Sequence, residues 1–471
     1  MGYHGVLSKG CERCRQRKVR CDQRKPSCLK CEKVKTQCPG YRNLTDVLFR
    51  DESAKIAQRV RIISKEDVPQ PSSDPLPLHP ISLIAIPQPL SQPLTEHASA
   101  FFFTKYYSCD GEGPQAWLAR TYPILPKDNA LRAVIEAAGM AGISNVYHAP
   151  SLAARSKQQY GIALDALKKS LSDPKEAVKD ETLMTVNLFG LFEFITFTNW
   201  DQSRAWAAHI KGAVALLQLR GPEQFDTERG GQLFLQLRSQ MLYACVQHDL
   251  PLSAELVQLS ETFDNSNMGK RRMEYRPAPL WSIVCRLLHL RDIIRSGEVE
   301  DRRAVCETAR GIDRDLVEWS ATLPGYTTVE APADGGDGIC FQGKRHVYSG
   351  LSIAQAWNNW RTLRIVVNQL MMRHGEAGNI SGALERSAAE EVARSLAADI
   401  CASAGSFEGS PHIVGIIWPL SMVAQEPSNS LATRRWAVEQ LRGISKTMGF
   451  RQAGLLAETI SPGLSPPQTH R

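Results

Sequence analysis

The pattern of apolar and polar residues predicts helices through most of the chain beyond residue 95. Residues 183–195 are apolar on nearly every side, as expected of a central helix. A helix with one apolar stripe starts near residue 205 and ends at Arg220-Gly221-Pro222, where a basic last turn precedes a glycine and a proline. Further helices are predicted over residues 130–141, 158–171, 233–248, 279–295, 301–320, 346–373, 383–404 and 430–448.

No convincing series of alternating strand residues occurs in this region, and residues 325–343 are expected to form an exposed loop. We therefore predict a large all-α domain over residues 96–458, followed by a flexible polar tail over 459–471. The longest apolar stretch, residues 413–424, has 12 residues and contains Pro419. A membrane-spanning helix needs about 20 apolar residues, so no membrane partner is expected.

Two different patterns precede the all-α domain. Residues 43–66 have apolar positions suited to a helix, but Asp51 and Gln58 interrupt the heptad register that Leu44 would start. A weak dimerising coiled coil and a plain linker helix both remain open for this segment. Eight prolines fall within residues 69–93, and they predict an extended Pro-rich linker over residues 67–95.

The first 38 residues contain six of the twelve cysteines, in two copies of the spacing C-x2-C-x6-C offset by 17 positions. The six are Cys11, Cys14, Cys21, Cys28, Cys31 and Cys38. Structural Zn²⁺ sites take four ligands, and thiolates are among those that zinc prefers. Six thiolates can therefore hold two zinc ions if two sulfurs bridge both metals. The repeat indicates that Cys11 and Cys28, the first cysteine of each copy, are the bridges.

Two other uses of these cysteines are disfavoured. A disulfide framework needs an oxidising compartment, and the start of the sequence, MGYHGVLSKG, has no apolar secretory region. Two separate four-ligand zinc sites would need eight ligands, whereas the nearest histidine, His4, lies outside the repeat.

Positive charge is concentrated in the same part of the chain. Residues 1–65 contain 17 Lys or Arg and 6 Asp or Glu, a net charge of +11, whereas the remaining residues carry 39 and 43. A basic segment of this kind neutralises phosphates and releases counterions, so that binding weakens steeply with salt. The run at residues 15–20 would also serve as a nuclear import signal, which is compatible with DNA binding.

The cysteine pattern, the basic run at residues 15–20 and Pro26 together resemble the Zn2Cys6 binuclear zinc cluster of fungal transcription regulators. The resemblance implies a metal-held module of two short helix-turn repeats over residues 1–42, with two zinc ions per chain. It also implies that Lys18 reads a CGG-like triplet in double-stranded DNA. The residues implied to contact phosphates are Arg15, Arg17 and Arg20.

The later part of the chain resembles, more softly, the helical regulatory region found behind such clusters. The segments that carry this resemblance are residues 101–104, 206–213, 219–222 and 417–420. The resemblance implies regulation and partner contact without catalysis. We find no Walker A, G-x-G-x-x-G, H-E-x-x-H or G-x-S-x-G motif, so an enzyme is not expected.

The sequence thus predicts a nuclear, DNA-binding regulator of RNA polymerase II genes. Family habit favours an activator, and such regulators often control a metabolic or secondary-metabolite gene cluster. The partners expected besides DNA are a second copy of the chain, the transcription machinery or co-regulators, and a small-molecule effector. The alternative is a zinc-stabilised protein-interaction module on a helical scaffold that does not read DNA sequence. Sequence selectivity at moderate salt would separate the two.

Overall fold

A computed structural model of the chain describes residues 11–17, 19–24, 26–39, 93–107, 116–199, 203–273, 280–297, 301–330, 339–375 and 380–464. The chain divides into two units, Met1–Leu94 and Thr95–Arg471. The predicted linker helix over residues 43–66 lies outside the described residues, as does the Pro-rich linker except for its last three residues.

The described part of the chain is mostly helical, as predicted. The first unit contains α1 (Glu12–Gln16) and α2 (Leu29–Lys33). The α-helices that follow are α3 (Leu94–Lys105), α4 (Ala116–Thr121), α5 (Ala130–Tyr147), α6 (Pro150–Ser172), α7 (Pro174–Ala177), α8 (Asp180–Thr196), α9 (Ser203–Arg220), α10 (Glu228–His248), α11 (Ala254–Asn265), α12 (Asn267–Met273), α13 (Leu280–Ser296), α14 (Arg302–Ser320), α15 (Leu351–His374), α16 (Ile380–Ser403), α17 (Ile417–Gln425), α18 (Leu431–Met448) and α19 (Arg451–Ile460). Among the helices described, none combines the length and the apolar character needed to span a membrane.

Local sequence signals explain where several of these helices begin and end. Asn129 caps the start of α5, because its side-chain oxygen accepts from the backbone N–H of the second and third helical residues. His148 ends α5 in the left-handed conformation, and Pro150 starts α6 at a position where no N–H donor is needed. The predicted end of α9 is confirmed: the helix stops at Arg220, and Gly221 has a φ of 66°.

The hydrophobic core of the second unit joins helices that are far apart in the sequence. Phe102 of α3, Phe189 of α8 and Phe450 are fully or almost fully buried. The ring centroids of Tyr106 and Phe450 lie 5.1 Å apart, and the Tyr106 hydroxyl donates to the carbonyl oxygen of Met448 at 2.8 Å. The end of α3 is thereby fixed against the connection between the last two helices.

Among the described residues, a β-hairpin that the sequence did not predict lies within the otherwise helical unit. Strands β1 (Tyr326–Glu330) and β2 (Lys344–Tyr348) pair antiparallel, with Tyr326 opposite Tyr348. The segment 325–343, expected to be a loop, contains β1, and the helix predicted over 346–373 begins only at Leu351. The strands are five residues long and mostly exposed, so they lack the apolar alternation that would have revealed them.

Arg361, on α15, attaches this hairpin to the helices. Its guanidinium is fully buried and donates to the Tyr348 hydroxyl at 2.8 Å and to Asn358 Oδ1 at 2.9 Å. The Tyr326 ring centroid lies 4.9 Å from its Cζ atom, within cation–π range, and an Asp399 oxygen lies 3.8 Å from its Nε. A short two-stranded sheet is marginally stable alone, and these contacts supply the packing it needs.

The helical unit also extends beyond its predicted boundary at residue 458. Helix α19 continues to Ile460 and is followed by a 3-10 turn, Ser461–Leu464. Leu464 is buried, and Arg435 Nη2 donates to its carbonyl oxygen at 2.8 Å. Ser461, Pro462 and Gly463 are typical of loops, yet the buried leucine after them holds this segment against α18.

Helices α3 and α5 lie close together at Gly139 of α5. A Cβ atom at this position would lie 1.9 Å from the carbonyl oxygen of Ala98 in α3. Contacts that short do not occur between non-bonded atoms, and the Ala98 atom belongs to the backbone. The absence of a side chain at Gly139 therefore sets the distance between α3 and α5.

We expect Gly139→Ala to destabilise the protein by about 1–3 kcal/mol, the usual cost of overpacking a core. Gly161→Ala on α6 is the matched control, because nothing lies within 4 Å of the added methyl group. That change should stabilise the helix by up to about 1 kcal/mol. Urea unfolding of the two variants would measure both effects, and equal stabilities would contradict the close approach.

Candidate metal centre and nucleic-acid interface

The backbone of the first unit repeats itself after 17 residues. Helix α1 becomes α2 when its bounds are shifted by 17 positions, and the cysteines shift in the same way. The hydrogen bond from Val19 N to Cys14 O, at 3.0 Å, has its equivalent in Thr36 N to Cys31 O, at 3.1 Å. The sequence duplication is thus also a structural duplication, in which each helix carries its copy's second cysteine and is followed by the same turn.

The six sulfurs form two groups of four that share two members. One group consists of Cys11, Cys14, Cys21 and Cys28, and the other of Cys11, Cys28, Cys31 and Cys38. Within each group the sulfurs lie within 4.8 Å of one another. The sulfurs of Cys11 and Cys28, which belong to both groups, are 3.7 Å apart, and both residues are fully buried.

These separations fit zinc. Four sulfurs at zinc–sulfur bond lengths of about 2.3 Å form a tetrahedron with edges of about 3.8 Å. The measured distances are 3.8 Å from Cys11 Sγ to Cys31 Sγ and 3.8 Å from Cys14 Sγ to Cys28 Sγ. Burial, followed by the neighbouring sulfurs, raises the pKa of the Cys31 thiol to about 12. The raised pKa means that, without a cation, these thiols stay protonated. A bound metal ion reverses this by stabilising the deprotonated thiolates.

Polar contacts connect the two copies of the repeat. The Asp22 carboxylate accepts a hydrogen bond from the backbone N–H of Leu29 at 3.0 Å, at the start of α2. Arg24, also in the segment between the copies, forms an ion pair with Glu32 on α2. The role of Asp22 is not readable from the sequence, because an aspartate seven residues before a helix indicates a cap only when the helix is already known.

Apart from Arg13, which is half-buried, the described basic side chains of this unit are exposed. Of the four residues predicted to contact DNA, Arg17 and Arg20 are exposed. Arg15 lies on α1, with its side chain outside the description, and Lys18 lies outside the described residues. The second copy adds three exposed lysines, Lys30, Lys33 and Lys35. Exposed cations next to a rigid metal-held backbone can contact phosphates from fixed positions.

Residues 9–46 match the fungal Zn(2)-Cys(6) binuclear cluster domain. The chain carries a Zn2Cys6 domain. This domain binds two zinc ions, in agreement with the two overlapping groups of sulfurs. The Zn2Cys6 domain therefore includes all six clustered cysteines and the basic run between Cys14 and Cys21.

The chain is homologous to fungal transcription regulators. It is 25% identical to the aspercryptin biosynthesis cluster-specific transcription regulator of Emericella nidulans over 302 residues, which cover 59% of this chain and 45% of the relative. It is 50% identical over 36 residues to white-opaque regulator 2 of Candida albicans, which is 8% of each chain. An uncharacterized transcriptional regulatory protein of Schizosaccharomyces pombe is 56% identical over 32 residues, 7% of this chain and 6% of that one.

The chain spans less than half the length of the Emericella relative that it matches. The matches to the other two relatives cover only 36 and 32 residues, which is about the size of the Zn2Cys6 domain. No solved structure matches the chain. The relatives are transcription regulators, a class of proteins that are generally not enzymes.

Proposed function

We propose that this protein is a sequence-specific DNA-binding regulator of RNA polymerase II transcription that acts in the nucleus. The observation that carries the proposal is the pair of overlapping four-sulfur groups, with exposed arginines on the same small unit. A zinc-held module of about this size presents a short helix to the major groove, as Zn2Cys6 modules do. The net charge of +11 over residues 1–65 supports a polyanionic partner.

In this proposal the six cysteines hold the two zinc ions, with Cys11 and Cys28 bridging them. The zinc ions supply the fold of the domain, since so short a segment buries too little apolar surface to fold without them. Lys18 donates to the guanine of a CGG-like triplet, and a lysine or arginine at O6 and N7 of guanine is the commonest specific contact. The residues that hold phosphates are Arg15, Arg17 and Arg20.

The helical unit, assigned to residues 96–458 and continuing to Leu464, is proposed to govern the output of the regulator. Its partners would be co-regulators or the transcription machinery, and a second copy of the chain through residues 43–66. We propose an activator without enzymatic activity. Because the Emericella relative is specific to a biosynthesis cluster, control of a metabolic or secondary-metabolite gene cluster is the proposed role.

The test is an unbiased selection of DNA sequences by the full-length protein, in buffer with zinc and at moderate salt. Enrichment of CGG-like triplets that is lost on chelation would support the proposal. Paired triplets at a fixed spacing would indicate a dimer on DNA, and single triplets a monomer. A protein that retains two zinc ions but enriches no sequence would instead be the zinc-stabilised interaction module.

We expect Lys18→Ala and Arg15→Ala to weaken DNA binding in different ways. Lys18→Ala should cost about 1–3 kcal/mol on the selected triplet and relax sequence choice there, because a base contact is lost. Arg15→Ala should weaken all sequences alike and reduce the salt dependence by about one phosphate contact. Binding titrations on selected and scrambled DNA at several salt concentrations would measure both. Uniform losses in both variants would overturn the division of roles.

A further inference from the structure

The helical unit contains a cavity of about 480 Å³ that opens to solvent. Its walls come from α8, α10, the 3-10 turn Pro411–Ile416 and the start of α17. Further residues come from α9, α15, the start of α19 and the two tyrosines that follow α3. This volume lies in the range of about 300–1,000 Å³ that is typical of small-molecule sites. The cavity is too small for a protein helix with side chains and is far larger than one buried water needs.

The lining is apolar and amide-rich. Leu191, Phe194, Met241 and Trp418 are among the apolar residues of the wall. Seven of the lining residues are Asn or Gln, whereas none of those described is Asp, Glu, Lys or Arg. A charged ligand that enters such a site loses water and gains no opposite charge, which is costly. The lining therefore selects uncharged molecules.

One side of the cavity is a preformed hydrogen-bonded wall. Gln355 Nε2 donates to Asn359 Oδ1 at 2.8 Å and to the carbonyl oxygen of Gly415 at 3.1 Å. Burial raises the pKa of the Tyr243 hydroxyl, and the neighbouring Asn359 side chain opposes that rise. These side chains position one another, so this wall keeps its shape when the cavity is filled.

Two other carboxamides that line the cavity have a buried oxygen with no hydrogen-bond partner. They are Gln236 on α10 and Gln452 on α19, and Gln452 is 3% exposed. A buried carbonyl oxygen without a donor costs about 1–3 kcal/mol, and native proteins seldom leave one unmatched. Each oxygen has almost no accessible surface as it is placed, so a rotation of the carboxamide would bring it to an N–H or O–H group of a ligand in the cavity.

We propose that this cavity binds an uncharged, largely apolar small molecule that carries amide or hydroxyl donors. Gln236 and Gln452 accept hydrogen bonds from the ligand, and the apolar wall covers its rings or chains. Because α8 and α10 precede the β-hairpin in the chain and α17 and α19 follow it, a ligand would connect the two halves of the helical unit. Binding therefore stabilises this unit, and it does so whether or not the protein reads DNA.

Two fluorescent probes of the same size test the selection against charge. Dansylamide is neutral and has N–H donors, whereas dansyl sulfonate replaces the amide by a negatively charged oxygen. Both are titrated into the full-length, zinc-loaded protein, and the blue shift of emission reports transfer into an apolar site. We expect dansylamide to bind at least about tenfold more tightly than dansyl sulfonate.

Variants of the lining then locate the site. Gln236→Leu and Gln452→Leu should each weaken dansylamide binding about fivefold, as expected for one hydrogen bond. Leu191→Trp should weaken it at least tenfold by filling the cavity. Gln425→Leu is the matched control, because Gln425 is on α17 but does not line the cavity, and its binding should equal that of the wild type.

Gln452→Leu also separates loss of binding from loss of folding. Removing an unpartnered buried oxygen should leave the unfolding midpoint unchanged or raise it, so weaker binding by this variant would not be due to unfolding. Equal binding of the two probes would overturn the proposal, as would unchanged dansylamide binding in a folded Leu191→Trp variant. A loss in Gln425→Leu as large as in Gln452→Leu would show non-specific adsorption and would overturn it too. Each result is independent of the DNA selection, so failure of one proposal is distinguishable from failure of the other.

Discussion

Replacing Cys14 by serine is expected to abolish sequence-selective DNA binding and to lower the zinc content below two ions per chain. Cys14 belongs to one four-sulfur group only, and its sulfur lies 3.8 Å from that of Cys28. Serine leaves this group with three thiolates, whereas structural zinc takes four ligands. Because metal binding supplies the folding free energy of so small a domain, selective affinity should fall about 1,000-fold or more, to the level of non-specific binding.

Metal analysis of the purified protein and titrations on the selected DNA would measure the two effects. Cys285→Ser is the matched control, because Cys285 is a half-buried thiol on α13 in the other unit. It should retain two zinc ions and wild-type selectivity. A Cys14→Ser protein with two zinc ions and unchanged selectivity would contradict the proposed ligand set.

The Zn2Cys6 domain was largely predictable because its determinants are close together in the sequence. The 17-residue repeat of cysteines fixed which residues would be equivalent, and the structure repeats the helices and their turns at the same offset. The ion pair of Arg24 with Glu32 was not predictable, since it depends on how the two copies are packed together. The cysteine spacing therefore predicts which cysteines group together, whereas the contacts around them depend on how the two copies pack.

The helical unit was predictable in class but not in detail. Apolar periodicity found most of the long helices, although α11 was missed in spite of a capping signal: the Ser253 side chain accepts from Leu256 N. The hairpin was missed because its strands are short, exposed and separated by 13 residues. Its stability comes from Arg361, which lies outside both strands, so the strand residues alone do not predict it.

The cavity had no sequence signal at all. Gln236 and Gln452 are separated by more than 200 positions, and each is unremarkable in its own helix. Only the packing of the helices places their carboxamides around one space that contains no described charged side chain. Sites of this kind are properties of tertiary structure, whereas a cysteine repeat is a property of the sequence.

Replacing Arg361 by leucine is expected to destabilise the helical unit by about 3–5 kcal/mol, the usual cost of breaking a buried charged network. The variant loses the hydrogen bonds to Tyr348 and Asn358 and the stacking against Tyr326, which together attach the hairpin to α15. Urea unfolding followed by circular dichroism would measure the change. Arg373→Leu, an exposed position on the same helix, is the control and should stay within about 0.5 kcal/mol of the wild type.

Arg361→Lys would test the geometry of this cluster separately from its charge. Lysine keeps the positive charge but lacks the planar fork that reaches two acceptors and stacks on an aromatic ring. We therefore expect a stability between those of the wild type and Arg361→Leu. A lysine variant as stable as the wild type would show that the charge alone holds the hairpin.

The pH dependence of the same variants tests whether Arg361 acts on His346, which faces it from β2. Burial and then the Arg361 charge lower the pKa of His346 to about 4, compared with about 6.5 in the unfolded chain. Between these values the unfolded state binds more protons, so the wild type loses stability as the pH falls from about 6.5 towards 4.

Without the Arg361 charge, the pKa of His346 rises and this loss becomes smaller. Burial also raises the pKa of Asp399, whose oxygen lies 3.8 Å from His346 Nε2, and Arg361 opposes that rise. Removal of Arg361 raises the pKa of Asp399 further, which favours the folded state as the pH falls. The changes at His346 and at Asp399 both favour the folded state of Arg361→Leu, relative to the wild type, as the pH falls. The stability difference between the wild type and Arg361→Leu should therefore narrow on acidification, and a constant difference would mean that Arg361 holds the hairpin without coupling to either group.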